Sequence, residues 1–434
     1  MDTFSKSTSP WRLLLKVVLI GFLLRVAGMV LFHTYSAKLD FDESGHIAAA
    51  LASGQGFSNP FGPPTGPTAW LAPAWPYLLS RYFVLFGVYS RAAIVAALLL
   101  NCAFSAVTCI PIYFAALYTF GERTARQSAW VWALFPYTMY WGFRSIWDTA
   151  LSALLLTLLF MMTLQLAEGR DKLALVRKSA FASPIFAWAI YGFLWGIAGL
   201  TNTAQLAFLP FAGIWICWRR HRQGKAFLRD ATVGAILFFA TIGPWLVRDY
   251  RVFHKFIPIR GNFGVEFHLG NSPTAQGDWQ FYLHPSQNFE EFTRYHAMGE
   301  PAYVKSKLQQ ALQFVHDEPG RFAYLSFARF FYFWTEPPHA EKYRGIYEAK
   351  TFLFLCATVS ALWGLCIALR QRLPGATLYL LLFLSYPTVY YITFILTRYR
   401  SPIEPEMLML IVFLISQLRE WDVKHKGNAT TRRL

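Results

Sequence analysis

Long apolar runs separated by short polar segments dominate the chain. The first run follows Arg12 and Lys16 and ends near His33, about 20 residues, which is enough to cross a bilayer. It is too long for a signal-peptide core and lacks a small-residue cleavage site, so it is expected to be a retained anchor. Further runs fall near 92–118, 125–142, 149–167, 183–200, 203–218, 230–247, 350–369, 375–396 and 402–418. Backbone crossing a bilayer must satisfy its own hydrogen bonds, and helices do so. The pattern predicts an all-α polytopic integral membrane protein with about ten transmembrane helices.

The polar segments orient those helices. Arg123 and Arg126, the segment Arg170 to Lys178, the segment Arg219 to Arg229, Arg370 with Arg372, and the tail Lys424 to Arg433 all fall on one side. Excess Lys and Arg mark the cytoplasmic side, so both termini are expected in the cytoplasm of a plasma or inner membrane. The 34–91 loop, the 142–148 turn, the 248–349 segment and the 397–401 turn then lie outside it. Three units follow. Residues 1–247 form a transmembrane module with an acidic first external loop (34–91), 248–349 an external region with helices, and 350–434 the last spans and a basic tail.

Both external regions are too long to be mere connections. In the first, Asp42 to Leu51 reads as a short surface helix, and Trp70 to Pro76 opens an amphipathic or re-entrant helix. In the second, Ile257 to Pro285 reads as loop, Glu290 to His316 as a polar amphipathic helix, and Pro319 to Trp334 as an aromatic-rich helix.

Composition narrows the function. The chain is 55% hydrophobic and only 15% charged, below the ~25% of soluble domains. Its net charge of +16 sits in short segments between spans, so no nucleic-acid groove is implied. The five cysteines lie in apolar runs without CxxC spacing. No Walker, Rossmann or GxSxG motif occurs. His254, His268, His284, His296, His316 and His339 lack metal spacing and read as ordinary loop residues.

Against that background Asp40, Asp42 and Glu43 stand out, because carboxylates beside a bilayer are costly unless they bind something or move a proton. Asp148 opens the fourth span four residues after Arg144. Helix capping would also account for Asp42 and Asp148. Arg248, Arg398 and Arg400 lie on the side where the charge rule disfavours Arg, which points to an anion such as phosphate. Interfacial anchoring, or pairing with Glu404 and Glu406, is the alternative. His46, one turn after Asp42, is placed to pair with it. Arg25 lies deep in the first span.

The acidic cluster, Pro73-Ala74-Trp75-Pro76, Phe120-Gly121-Glu122-Arg123, Pro136 and Asp148 occur in an order that resembles the GT-C membrane glycosyltransferases. Gly199 to Asn202, Pro244 to Tyr250, Asn262 to Asn271 and Arg398 to Pro402 add to the likeness. Within that superfamily the chain looks like the branch of protein O-mannosyltransferases and the lipid A aminoarabinose transferase. The resemblance implies an enzyme of the cell envelope that moves a sugar from a polyprenyl-phosphate-linked donor to a protein, lipid or glycan acceptor on the extracytoplasmic face. It implies Asp42, or its neighbour Glu43, as catalytic base, with Asp148 as a second acidic residue. Arg248, Arg398 and Arg400 would hold the donor phosphate, with His46 and Arg144 in support. A divalent ion, if one serves, would draw oxygen ligands from Asp42, Glu43 and Asp148. A polymerase or ligase using a lipid-diphosphate glycan, and a transporter or flippase, are the competing readings. The transporter is disfavoured because, Arg25 apart, the charges cluster at one face and no internal repeat is seen.

Overall fold

The computed structural model describes residues 10–36, 42–168, 184–336 and 344–431. Asp40, His339, Arg433 and the basic segment Arg170 to Lys178 lie outside them. The described residues are helical nearly throughout, with two isolated bridges, Ser58 to Pro67 and Asp278 to Ile395.

Among the described residues six segments are long and apolar enough to cross a membrane: Pro10–Leu31, Arg91–Phe120, Thr149–Ala167, Leu228–Phe253, Glu348–Arg370 and Thr397–Trp421. Ile185–Thr201 and Ala376–Ile392 are shorter apolar helices. The other two expected spans take a different form. The 125–142 run is split into helices Glu122–Leu134 and Pro136–Arg144, and the 203–218 run into a 3-10 turn, Thr203–Ala207, and a helix, Leu209–Arg222.

Pro136 explains the first split. It has no N–H to give to the Trp132 carbonyl four residues back. That carbonyl instead accepts from Thr138 Oγ1 at 2.8 Å and from Arg25 at 3.0 Å. Arg25 also donates to Ser105 Oγ at 2.8 Å, Gly21 O at 2.9 Å and Ala133 O at 3.2 Å. The charge in the first span is therefore fully buried against two carbonyls at the broken helix, together with Gly21 O of its own helix and the Ser105 hydroxyl.

Close helix contact relies on small residues, since lipid gives apolar side chains no reason to prefer each other over the bilayer. A Cβ on Gly192 would stand 1.9 Å from Gly234 O, and one on Gly196 would stand 2.5 Å from Thr241 Cβ. Helices Pro184–Thr201 and Leu228–Phe253 thus touch backbone to backbone.

Two long loop regions, 42–91 (the first) and 248–336 (the second), fold on each other. The first holds helices Glu43–Ala52 and Ala74–Phe86. The second holds Phe289–Met298, Glu300–Asp317 and Pro319–Thr335, and also a helix, Phe263–Gly270, where loop was expected. The expected 290–316 helix breaks at Gly299, whose φ of 73° suits glycine. Phe61 and Trp70 from the first region pack against Val265, Leu269, Tyr295, Tyr303 and Phe394. Glu300, buried beneath them, accepts from Ala69 N and Tyr295 Oη, both at 2.7 Å, and from Thr68 Oγ1. Arg329 donates to Gly270 O at 2.8 Å, Asn271 Oδ1 at 3.0 Å and Thr393 O, fastening the second region to the chain after Thr388–Ile392.

Gly192→Leu is expected to destabilise the protein by about 1–3 kcal/mol or more, because it overfills a closed backbone contact. Gly213→Leu, where a Cβ meets nothing within 4 Å, is the control and should be nearly neutral. Thermal denaturation of both variants in detergent checks this, and equal melting points would refute the contact.

Candidate active site

A cavity of about 880 Å³ opens between the two long loop regions and the ends of the apolar helices. Four separate stretches bring charged groups to it.

The first is the start of the Glu43–Ala52 helix. Asp42 holds the N-cap position, yet its side chain makes no capping hydrogen bond to the first turn. Asp42 and Glu43 both line the cavity. One turn on, Ile47 is buried with Phe57 and Trp245, which fixes the helix and aims its first turn inward.

The second is the turn before helix Thr149–Ala167. Buried Asn101 donates to Ser145 O at 2.8 Å and Trp147 O at 3.1 Å, and Trp75 Nε1 donates to Ile146 O at 3.2 Å. So pinned, the turn presents Trp147 and Asp148 to the cavity. Asp148 accepts from Ser152 Oγ at 3.1 Å and likewise makes no capping bond.

The third is the 3-10 turn Thr397–Ile403. The Arg398 guanidinium lies 3.8 Å from the centre of the Trp147 ring, a cation–π stack that holds its planar fork in the cavity wall.

The fourth is the strained stretch before helix Phe263–Gly270. Ile259 has φ of 71°, the left-handed region that a β-branched side chain avoids. The conformation is forced by neighbours: Trp245 Nε1 donates to Ile259 O at 2.8 Å, and Gly261 N to Ala69 O at 2.7 Å. Its effect is to swing Arg260 into the cavity, where it bonds Trp70 O at 3.0 Å and pairs with Glu266 at 2.8 Å. Strain of about 1–3 kcal/mol held by the surroundings is common at functional sites.

Burial pushes the Glu43 carboxyl above the usual carboxylate range; its own backbone N–H, Arg398 and Arg260 pull against that, and Glu266 adds to it. Burial raises Asp148 too, opposed by Arg398, Ser152 and Arg260.

The residues singled out in the sequence separate accordingly. Asp42, Glu43, Asp148 and Arg398 meet at the cavity. Arg248 lies outside its lining and donates to Thr68 O at 2.6 Å and Phe57 O at 2.8 Å, clamping the first loop region to its own helix. Arg400 also lies outside, buried against Glu404 at 3.3 Å and over the Phe354 ring at 3.7 Å. His46 bonds Tyr89 Oη at 3.2 Å, and Arg144 is exposed at a helix end; neither lines the cavity. Among the described residues no three His, Cys, Asp or Glu side chains are grouped closely enough to hold a metal ion.

Arg260 and His284 line the cavity without having been singled out. A signal for Arg260 existed, since it shares the charge-rule anomaly of Arg248. His284 had none, being one histidine among several in an irregular stretch.

No protein-family model matches the chain, and no curated protein sequence matches it. Solved structures do. The oligosaccharyltransferase AglB from Archaeoglobus fulgidus, in complex with an inhibitory peptide and a dolichol-phosphate, aligns with 100% of this chain and 52% of its own at 14% identity, TM-score 0.51. Its apo form aligns with 100% and 53% at 14% identity, TM-score 0.52. ArnT from Cupriavidus metallidurans bound to undecaprenyl phosphate aligns with 95% of this chain and 78% of its own at 12% identity, TM-score 0.42. The architecture is therefore the GT-C fold, as the sequence led one to expect, and the chain spans about half the length of the archaeal enzyme.

With Glu43 and Asp148 raised, the folded state binds more protons than the unfolded state between the ordinary carboxylate value, about 4, and their raised values. Stability is then greatest below that window and falls as pH rises through it. The Glu43→Gln, Asp148→Asn double variant should lose this slope. Melting temperatures across pH 4 to 8 check the sign; identical slopes in both proteins would mean that the two carboxyls are not raised.

Proposed function

We propose that the chain is a membrane glycosyltransferase that moves a sugar from a polyprenyl-phosphate carrier to an acceptor bound at this cavity. The observation that carries the reading is the meeting of Asp42, Glu43, Asp148, Arg260 and Arg398, from four separate stretches, in one cavity of a GT-C fold. The dolichol-phosphate bound to the archaeal oligosaccharyltransferase of this fold agrees with a lipid-phosphate donor.

The chemistry follows from the groups present. The acceptor oxygen attacks the anomeric carbon as the bond from that carbon to the phosphate oxygen breaks. Asp42 takes the acceptor's proton, and the carrier leaves as its phosphate. A base within hydrogen-bond reach contributes a factor of about 10²–10⁴. Arg398, fixed by Trp147, and Arg260, fixed by Trp70 O and Glu266, are the cations that hold the leaving phosphate. Asp148, adjacent in the chain to the Trp147 that carries Arg398, is the second acid of the site. The cavity walls add Trp75, Trp141 and Tyr390, apolar faces suited to stacking on a sugar ring. The whole site belongs to the extracytoplasmic side.

Asp42→Asn retains shape, and it sacrifices no capping hydrogen bond because the Asp42 side chain makes none. It should insert normally yet lose transfer by about 10²-fold or more, measured as donor consumption in membranes supplied with a panel of polyprenyl-phosphate sugars. Near-normal turnover would remove Asp42 as base. Arg260→Ala and Arg398→Ala should each weaken donor use roughly 10- to 100-fold, and Arg398→Lys should recover only part, since the planar fork and its stack on Trp147 are lost.

The topology is checked separately. Gln55, Gln276 and Gln223 are all exposed. In a background lacking the native cysteines, Gln55→Cys and Gln276→Cys should react with a membrane-impermeant thiol reagent in intact cells, and Gln223→Cys should not. Labelling of only one of the first two would break the site into two sides.

A further inference from the structure

Helix Pro319–Thr335 falls in the segment expected outside the membrane, yet its surface is unlike that of a water-facing helix. Leu325, Arg329 and Phe333, spaced one turn apart, are buried and turn the helix toward the rest of the protein. The opposite face carries Tyr324, Phe327, Phe330 and Phe331, which are 68, 62, 45 and 48% exposed. Ala323 is the one other exposed residue between Arg321 and Glu336, so the stripe holds no charge. A contiguous apolar patch of this kind marks either a protein partner or a membrane.

Depth separates the two. Thr358 Oγ1 donates to Trp334 O at 2.7 Å, tying the last turn of this helix to the apolar segment Glu348–Arg370. Thr358 stands ten residues after Glu348 and twelve before Arg370, about 15 and 18 Å along an α-helix. With a hydrocarbon core about 30 Å thick, Trp334 then sits near the middle of the bilayer. Phe331 and Phe327 stand only about 5 and 10 Å back from Trp334 along their helix, so they stay within the hydrocarbon whatever the tilt. The segment that Trp334 touches has lipid-facing apolar side chains of its own: Phe352, Leu353, Val359 and Trp363 are each more than half exposed. Arg329 does not oppose this placement. It is fully buried and donates inward, to Gly270 O, Asn271 Oδ1, Thr393 O and Ser326 Oγ.

We propose that helix Pro319–Thr335 is a half-span, ending near mid-bilayer, whose Phe327, Phe330 and Phe331 are covered by lipid acyl chains. Tyr324 lies toward the headgroups, where a tyrosine hydroxyl meets water. On the inner side Phe333 stacks on Tyr390 of the cavity wall, ring centres 6.0 Å apart. One helix thus separates lipid from the cavity. The inference stands on packing and does not rest on the transferase reading.

Nitroxide labels on single cysteines test it, in a background lacking the native cysteines and with one copy per nanodisc. Labels at Phe327→Cys and Phe331→Cys should relax with oxygen far more than with a water-soluble nickel chelate, as should Leu353→Cys in the neighbouring segment. Their oxygen-to-nickel ratio should exceed severalfold that at Gln310→Cys, exposed on the preceding helix. A ratio at Phe327 and Phe331 equal to that at Gln310 would put the face in water and overturn the proposal. Exclusion of both relaxants would mean that protein covers the face, and would overturn it equally. A water-like ratio at Leu353 would remove the depth argument and the membrane reading of that segment together. The unsubstituted protein gives a second measurement. A phospholipid carrying a diazirine on its acyl chain should, on irradiation, label the tryptic peptide Phe322–Arg329 as well as peptides from Glu348–Arg370. Label confined to the latter would refute the half-span.

Discussion

Glu300 is the contact on which the rest of the site depends. Buried in the second loop region, it gathers hydrogen bonds from Thr68, Ala69 and Tyr295. Two of those donors belong to the first loop region, so one carboxyl joins stretches more than 200 residues apart in sequence. Burial pushes its pKa up, and the hydrogen bonds from Thr68, Ala69 and Tyr295 pull against that. Burying such a group is costly unless its oxygens are satisfied, and here they are. Arg248 works beside it from below, donating to the carbonyls of Phe57 and Thr68. Between them the loop that carries Trp70 has one seat. Trp70 in turn offers its carbonyl to Arg260 and its ring to His284. The cavity is thus shaped by groups that never touch it.

Within the cavity, charge is arranged so that each group limits its neighbour. Four carboxyls (Asp42, Glu43, Asp148, Glu266) face two guanidinium groups, Arg260 and Arg398. An enclosed site in this balance would repel an anionic donor if every acid were ionised. Burial moves Glu43 and Asp148 the other way, toward the protonated form. Each arginine is also held by something other than an acid: Arg398 by the Trp147 ring and Arg260 by the Trp70 carbonyl. Arg260 is in addition paired with Glu266 at 2.8 Å, whereas Arg398 is held by its stack on Trp147.

How much of this could be read from the residues varies with the kind of signal. The helical membrane fold was legible, because a 20-residue apolar run has few other meanings. The acids were legible too, since Asp42 and Asp148 stand at helix starts next to apolar runs. The arginines were only half legible. Charge bias reports which side of the membrane a residue occupies, and it does not tell a group facing a cavity from one clamping a loop. Arg398 faces the cavity, while Arg248 and Arg400 are bound to carbonyls, Glu404 and rings outside it. Arg260 depends on the backbone of Ile259, a left-handed residue that no pattern of side chains announces. His284 depends on a tertiary encounter, as does Asn101, whose role is to hold a turn more than 40 residues away. The split of the 125–142 run followed from Pro136, a signal that hydropathy averaging conceals.

That split reaches back to the order in which the chain is made. Arg25 and the carbonyls it binds, Trp132 and Ala133, lie on opposite sides of the second apolar run. During synthesis the first helix emerges well before its partner exists. A central arginine alone costs about 2.5–3.5 kcal/mol on insertion, a sum the flanking leucines and valines of Pro10–Leu31 offset. The helix can enter the bilayer by itself with only Gly21 O of its own turn to answer the charge. Ser105 of the second run adds one acceptor, and the carbonyls of residues 122–144 complete the seat. The first helix thus carries a built-in reason to wait for the third run, and the bundle closes around a debt incurred at its first step.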